Sequence, residues 1–141
     1  MDCPVCKNAM ITLELAQVEI DYCTDCRGIW LDAGELELLL GDAEQAGQLL
    51  NSFTVEKKSA EIKRKCPICL KKMAKIIVGA SQPPVLIDKC TKGDGLWFDR
   101  GELKQVLQAG SFDQQNKVVK LLKDMFSSEN TPNHTPPADA V

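Results

Sequence analysis

Cys3-Pro4-Val5-Cys6, followed by Ile20-Asp21-Tyr22-Cys23-Thr24-Asp25-Cys26-Arg27-Gly28-Ile29-Trp30-Leu31-Asp32-Ala33-Gly34-Glu35-Leu36, decides how this chain is read. The string returns as Cys66-Pro67-Ile68-Cys69, followed by Ile87-Asp88-Lys89-Cys90-Thr91-Lys92-Gly93-Asp94-Gly95-Leu96-Trp97-Phe98-Asp99-Arg100-Gly101-Glu102-Leu103. The copies are offset by 63 at the first cysteine pair and by 67 from Val18/Val85 onward, which places four extra residues near Gly79–Pro84 of the second copy. Self-similarity at this scale means one supersecondary unit used twice.

Outward from the cysteines, Ile11, Leu13 and Leu15 alternate with Thr12 and Glu14, and Val18, Ile20 and Tyr22 alternate with Glu19 and Asp21. Period-two patterning around a short connection predicts a hairpin with one covered face. Lys75–Val78 and Val85–Lys89 are the counterparts. After Asp32 and Asp99 the period becomes helical: Leu36, Leu39 and Leu40 share one face, as do Leu103, Val106 and Leu107. Each Asp has a Glu three residues on, Glu35 or Glu102, which predicts a variant capping box with Asp32 and Asp99 as N-caps. Gly41 and Gly110 read as stops. Asp42 with Gln45, and Ser111 with Gln114, predict a second helix in each copy. Ala43, Ala46 and Leu50 line the first of these helices; Val118, Leu121, Leu122, Met125 and Phe126 line the other. Gly34 and Gly101, in the first helical turns, suggest close approach of the backbone to the sheet. Trp30 and Trp97 read as core lids joining sheet to helix, the rival being an exposed platform for a base or partner. The expected division is a first module over 1–53, a charged linker over 54–65, a second module over 66–126 and a disordered tail over 127–141.

At 141 residues, 44% of them apolar but only 5% aromatic, no single core is large. No run of 18 apolar residues suits a membrane span, and Met1-Asp2-Cys3-Pro4 opens without a secretory pattern. Seven cysteines, an odd number, point to thiols in a reducing compartment, the cytoplasm. The net charge of −3 is the wrong sign for a general nucleic-acid coat. Its distribution is uneven: residues 1–53 carry ten acids against Lys7 and Arg27, and residues 54–75 carry eight bases against Glu56 and Glu61. The basic stretch reads as a solvated connector that screens thiolates; a patch for nucleic acid or an acidic partner is the alternative.

Cys3-x2-Cys6 and Cys23-x2-Cys26 set two thiol pairs at one end of a hairpin, and sixteen residues between the pairs suit strand–turn–strand. Two such knuckles facing each other supply four thiolates in a tetrahedron, a closed structural zinc site. A redox-active pair would need a thioredoxin-like context, which is missing. In the second copy Cys66, Cys69 and Cys90 match, but Gly93 stands where Cys26 stands in the first. Three readings stay open. Zinc is held by three cysteines and a fourth ligand, Asp94 being the nearest candidate and His134, the only histidine, a remote one. The metal is lost and packing replaces it. Or the open position works on water or oxidants.

These strings resemble the transcription factor IIB-type zinc-finger family, small zinc-ribbon modules. The first copy matches at every signature position, the second at all but Gly93. The resemblance covers about residues 2–40 and 65–107. It implies an α+β fold of two tandem zinc ribbons, each a short antiparallel sheet plus helices. It also implies zinc on Cys3, Cys6, Cys23 and Cys26, and a partial version on Cys66, Cys69 and Cys90. A shared fold does not carry function with it. The expected function is therefore a zinc-binding, non-catalytic interaction module with a protein partner. Nucleic-acid or transcription-machinery binding through 54–75 is the alternative, and a thiol sensor or enzyme at an open three-cysteine site is a second. No catalytic residue is expected, since no Ser/His/Asp set can form around a lone histidine.

Overall fold

The computed structural model describes residues 1–15, 17–41, 43–57, 62–79 and 84–109. The helix expected over 111–126 with its stop at Gly110, the cap Asp42, the tail 127–141 and His134 lie outside the described residues, as do parts of the linker and of the longer second hairpin.

The expected hairpins are present. In the first copy β1 (Ile11–Leu15) pairs with β2 (Val18–Tyr22). A third strand, β3 (Ile29–Asp32), follows, then α1 (Glu35–Leu40) and α2 (Ala43–Asn51). After β4 (Phe53–Val55), the second copy supplies β5 (Ala74–Val78), β6 (Val85–Lys89), β7 (Gly95–Phe98) and α3 (Glu102–Ala109). The strands form one antiparallel sheet in the order β1-β2-β3-β7-β6-β5-β4. Alternation does not announce β3 and β7, because both their faces are covered: Ile29, Trp30, Leu31 and all four residues of β7 are buried. A strand buried on both sides reads as a continuous apolar run.

The copies join through β3 and β7. Trp30 lies directly opposite Trp97, with Ile29 opposite Phe98 and Leu31 opposite Leu96. Since Trp97 is the repeat equivalent of Trp30, the register relates the copies by an approximate two-fold through this pair. Both indoles are fully buried, so they are core residues and not exposed platforms, but they do not join sheet to helix as expected, because their face of the sheet is covered by the cysteine turns. Ile29, Leu31, Leu96 and Phe98 face a core that also holds Leu36, Leu39, Leu49, Leu103, Val106 and Leu107 from the helices. The tryptophans face the opposite side, among Cys3, Cys23, Cys66, Met73 and Cys90. A Cβ on Gly28 would overlap the Trp97 ring, and one on Gly95 would overlap Leu31 O and approach Trp30 Cζ2 to 2.7 Å. Each copy thus keeps a glycine where the other's indole lies.

Several local expectations are corrected. Asp32 and Asp99 do not cap helices; their carboxylates accept from the indole Nε1 of Trp30 (2.7 Å) and Trp97 (2.8 Å), two residues back along the chain. Gly34 is the N-cap of α1, without a side-chain cap. The reaching-back half of the box survives: Glu35 accepts from Asp32 N–H at 2.7 Å and Glu102 from Asp99 N–H at 2.8 Å. Nothing lies near a Cβ at Gly34 or Gly101; their φ values of +91° and +82° are the reason for glycine, not close approach. Gly41 does end α1, its N–H bonding Glu37 O. In α2, Ala46 is buried, but Leu49 rather than Leu50 is the deepest residue.

The basic stretch is not wholly solvated. Lys75 and Asp88 are cross-strand partners with Nζ and Oδ1 2.7 Å apart, both side chains almost completely buried. The expected linker also starts inside the sheet, because Thr54 and Val55 belong to β4 on the edge of β5, and Glu56 N–H donates to Lys75 O at 2.8 Å. The first copy carries Thr12 and Asp21 at this place, joined by a 3.2 Å hydrogen bond at an exposed edge. Breaking a buried ion pair from one side strands the other charge. Lys75→Met should therefore destabilise the fold by about 3–5 kcal/mol, while Lys75→Met with Asp88→Leu recovers most of the loss. Denaturant unfolding of the two variants checks this, and equal losses would refute it.

Candidate metal centres

Each hairpin carries one cysteine pair in the turn before its first strand and the remaining donors in the turn after its second. The β1–β2 pairing brings Cys3 and Cys6 against Cys23 and Cys26, whose four Sγ atoms lie within 4.8 Å of one another. Cys3 Sγ and Cys26 Sγ are 3.5 Å apart. Thiolates at 2.3 Å from a tetrahedral zinc would stand about 3.8 Å from each other, so the donor set fits the ion. The sulfurs also take backbone donors: Val5 and Cys6 N–H to Cys3 Sγ at 3.3 Å, and Cys26 N–H to Cys23 Sγ at 3.5 Å. Asn8 Nδ2 donates to Asp25 Oδ2 at 2.6 Å, a clasp between the two knuckles that the sequence did not announce.

The second cluster consists of Cys66, Cys69, Cys90 and Asp94, again with all ligand atoms within 4.8 Å. Cys69 Sγ and Cys90 Sγ are 3.7 Å apart, and Asp94 Oδ2 lies 3.5 Å from Cys66 Sγ and 3.4 Å from Cys90 Sγ. An oxygen at about 2.0 Å and a sulfur at about 2.3 Å from one tetrahedral zinc would be about 3.5 Å apart, so this set fits too. All seven cysteines are free thiols.

A one-residue shift in the fourth knuckle brings Asp94 to the cluster. In the other three knuckles the residue after the second cysteine, Lys7, Arg27 or Leu70, has φ of +65° to +68°. Its N–H bonds the carbonyl of the first cysteine, as Arg27 N–H does to Cys23 O at 2.8 Å. In the fourth, the left-handed residue is Gly93, at φ +83°, and its N–H makes the shorter turn to Cys90 O at 3.1 Å. The outer closure is unchanged: Cys90 N–H bonds Gly95 O at 3.1 Å, as Cys23 N–H bonds Gly28 O at 3.1 Å. The turn therefore tightens one residue early, and the next side chain, Asp94, points where Cys26 points in the first copy. The flanking glycines of Gly93-Asp94-Gly95 are the sequence signal for this shift.

Burial sets thiols at both places against ionising alone. Burial pushes the Cys66 thiol up to about 12, and burial raises Cys6 and Cys26 as well. Burial also pulls Cys23 upward, but the backbone N–H groups of Cys26 and Asp25 outweigh it and leave Cys23 below its usual value. Packed thiols cannot all ionise without a positive partner, and metal binding at such a site expels their protons.

The profile of a family described as "Transcription factor zinc-finger" matches residues 2–42 and 65–109, more than half of the chain and once per copy. No curated protein and no solved structure matches. With two four-donor clusters standing in the matched segments, the chain is a zinc-binding protein. It belongs to the transcription factor zinc-finger family, as two tandem zinc ribbons fused into one sheet.

Proposed function

We propose that this protein is a non-catalytic interaction module held in shape by two zinc ions, one on Cys3, Cys6, Cys23 and Cys26 and one on Cys66, Cys69, Cys90 and Asp94. The observation that carries the reading is the completeness of both donor sets, each with four ligand atoms within 4.8 Å. Catalytic zinc sites keep a position for water or substrate, whereas structural ones are closed. With Asp94 at the fourth corner, the second site is of the closed kind, which weighs against a thiol sensor or enzyme. Zinc supplies folding free energy that small cores lack, about 10–16 kcal/mol in finger peptides. Its ligands hold the turns, and the turns cover one face of the central strands.

The fitting partner is another protein. The nucleic-acid alternative draws on residues 54–75, but Lys75 is committed to Asp88 inside the sheet. Among the described residues no helix is long and apolar enough to cross a membrane. Seven free thiols favour a reducing compartment, and we assign the protein to the cytoplasm on that ground.

Native mass spectrometry of the untagged chain should find two zinc ions. One ion in the wild type would mean that packing alone holds the second copy. Asp94→Ala should reduce the count to one, and a count that stays at two removes Asp94 as a ligand. Cys23→Ser should unfold the first copy, visible as a lost or early melting transition. Gly93→Cys should not create a four-thiolate site, because position 93 holds the left-handed turn. In the cobalt-substituted protein, sulfur-to-metal absorption should stay at the level of seven thiolates, and an increase to eight would show that the turn can revert.

A further inference from the structure

The leading knuckles of the two copies share a backbone and differ in surface. Asp2, Val5, Lys7, Asn8 and Ala9 of the first correspond to Lys65, Ile68, Leu70, Lys71 and Lys72 of the second. Both are closed by an isolated antiparallel bridge, Asp2 opposite Ala9 and Lys65 opposite Lys72. Val5 is half-buried, but Ile68 is 48% and Leu70 68% exposed, and Lys65, Lys71 and Lys72 are exposed around them. Among the described residues no carboxylate pairs with any of the three lysines.

The first knuckle is an internal control for what the fold requires. Leu70 holds φ +65°, and Lys7 holds φ +68° at the same place, so the turn does not ask for an exposed leucine. Nor does the metal ask for the lysines. Zn²⁺ with four thiolates and Zn²⁺ with three thiolates and a carboxylate both carry a formal charge of about −2, yet the first knuckle sets only Lys7 beside its site. Two lysines directly opposite across a bridge repel each other, a strain that an external anion relieves. Among the described residues, neither fold nor metal gives the apolar pair and its basic rim an internal purpose.

We propose that the tip formed by Ile68 and Leu70, rimmed by Lys65, Lys71 and Lys72, docks an acidic protein segment that carries apolar side chains. This rests on the reading of the chain as an interaction module. Aliphatic contacts at the centre and charge complementarity at the rim are the features of a protein interface. Single-stranded nucleic acid would instead be met by aromatic stacking platforms, and the tip has none: Trp30 and Trp97 are fully buried.

The test compares the zinc-loaded wild type with a graft that gives the second knuckle the residues of the first: Lys65→Asp, Ile68→Val, Leu70→Lys, Lys71→Asn and Lys72→Ala. Each new residue already occupies this backbone in the first copy, and native mass spectrometry checks that both proteins hold the same zinc. A displayed library of random short peptides is selected on the wild type. The expected result is enrichment of peptides that are net acidic and contain apolar residues, with affinity for the graft reduced about tenfold or more. Enrichment of neutral or basic peptides, equal affinity for the graft, or no enrichment overturns the docking tip while the zinc-held module stands. Oligothymidine that binds the wild type and not the graft, without acidic peptides being selected, also overturns it, in favour of nucleic acid. Zinc absent from the wild type would strike the parent reading, and is seen before any peptide is added.

Discussion

The antiparallel pairing of β3 with β7, with Trp30 opposite Trp97, is the constraint on which the rest of the structure depends. It converts two small ribbons into one sheet and makes the repeat axis a structural axis. Neither copy alone offers much core, since small domains bury too little of their surface. Joined, they bury Ile29, Leu31, Leu96 and Phe98 on one side and both tryptophans on the other. The indoles then set conditions on their neighbours. Gly28 and Gly95 must lack side chains, and Asp32 and Asp99 must supply acceptors for the buried Nε1 donors.

The cysteine turns form the second layer over this seam. Cys3, Cys23, Cys66 and Cys90 are buried beside the tryptophans, so the metal-binding turns are also walls of a core. The second cluster gathers its four donor atoms by a different route. Gly93 takes the left-handed turn one residue early, and a carboxylate stands where the first copy has a thiolate.

The two copies also differ at equivalent places. Thr12 and Asp21 pair across strands at an exposed edge, whereas Lys75 and Asp88 at the equivalent place are buried where β4 lies along β5. The first knuckle carries Asp2, Val5, Lys7 and Asn8 where the second carries Lys65, Ile68, Leu70 and Lys71. At such positions the shared backbone tolerates either residue.

The repeat, the hairpins, the leucine faces of α1 and α3 and the gathering of the cysteines into two clusters were legible in the sequence, because each rests on local chemistry: alternation, helical spacing and the short reach of a two-residue gap. Asp94 was legible only as the nearer of two candidates, with His134 the other, since spacing alone does not reveal that a turn tightens one residue early. The strands β3 and β7 were hidden because a strand covered on both faces shows no alternation, and its second cover comes from the other copy. The same holds for Asp32 and Asp99, whose pattern spoke for helix caps until the buried indoles claimed their carboxylates. Lys75 looked like one more solvated base until β4 lay along the edge of its strand. Sequence by itself determined the modules and their metal chemistry, which depend on neighbours along the chain. Tertiary structure decided how the modules share a core and which polar groups are buried, because those depend on surfaces that meet only when the two copies pair.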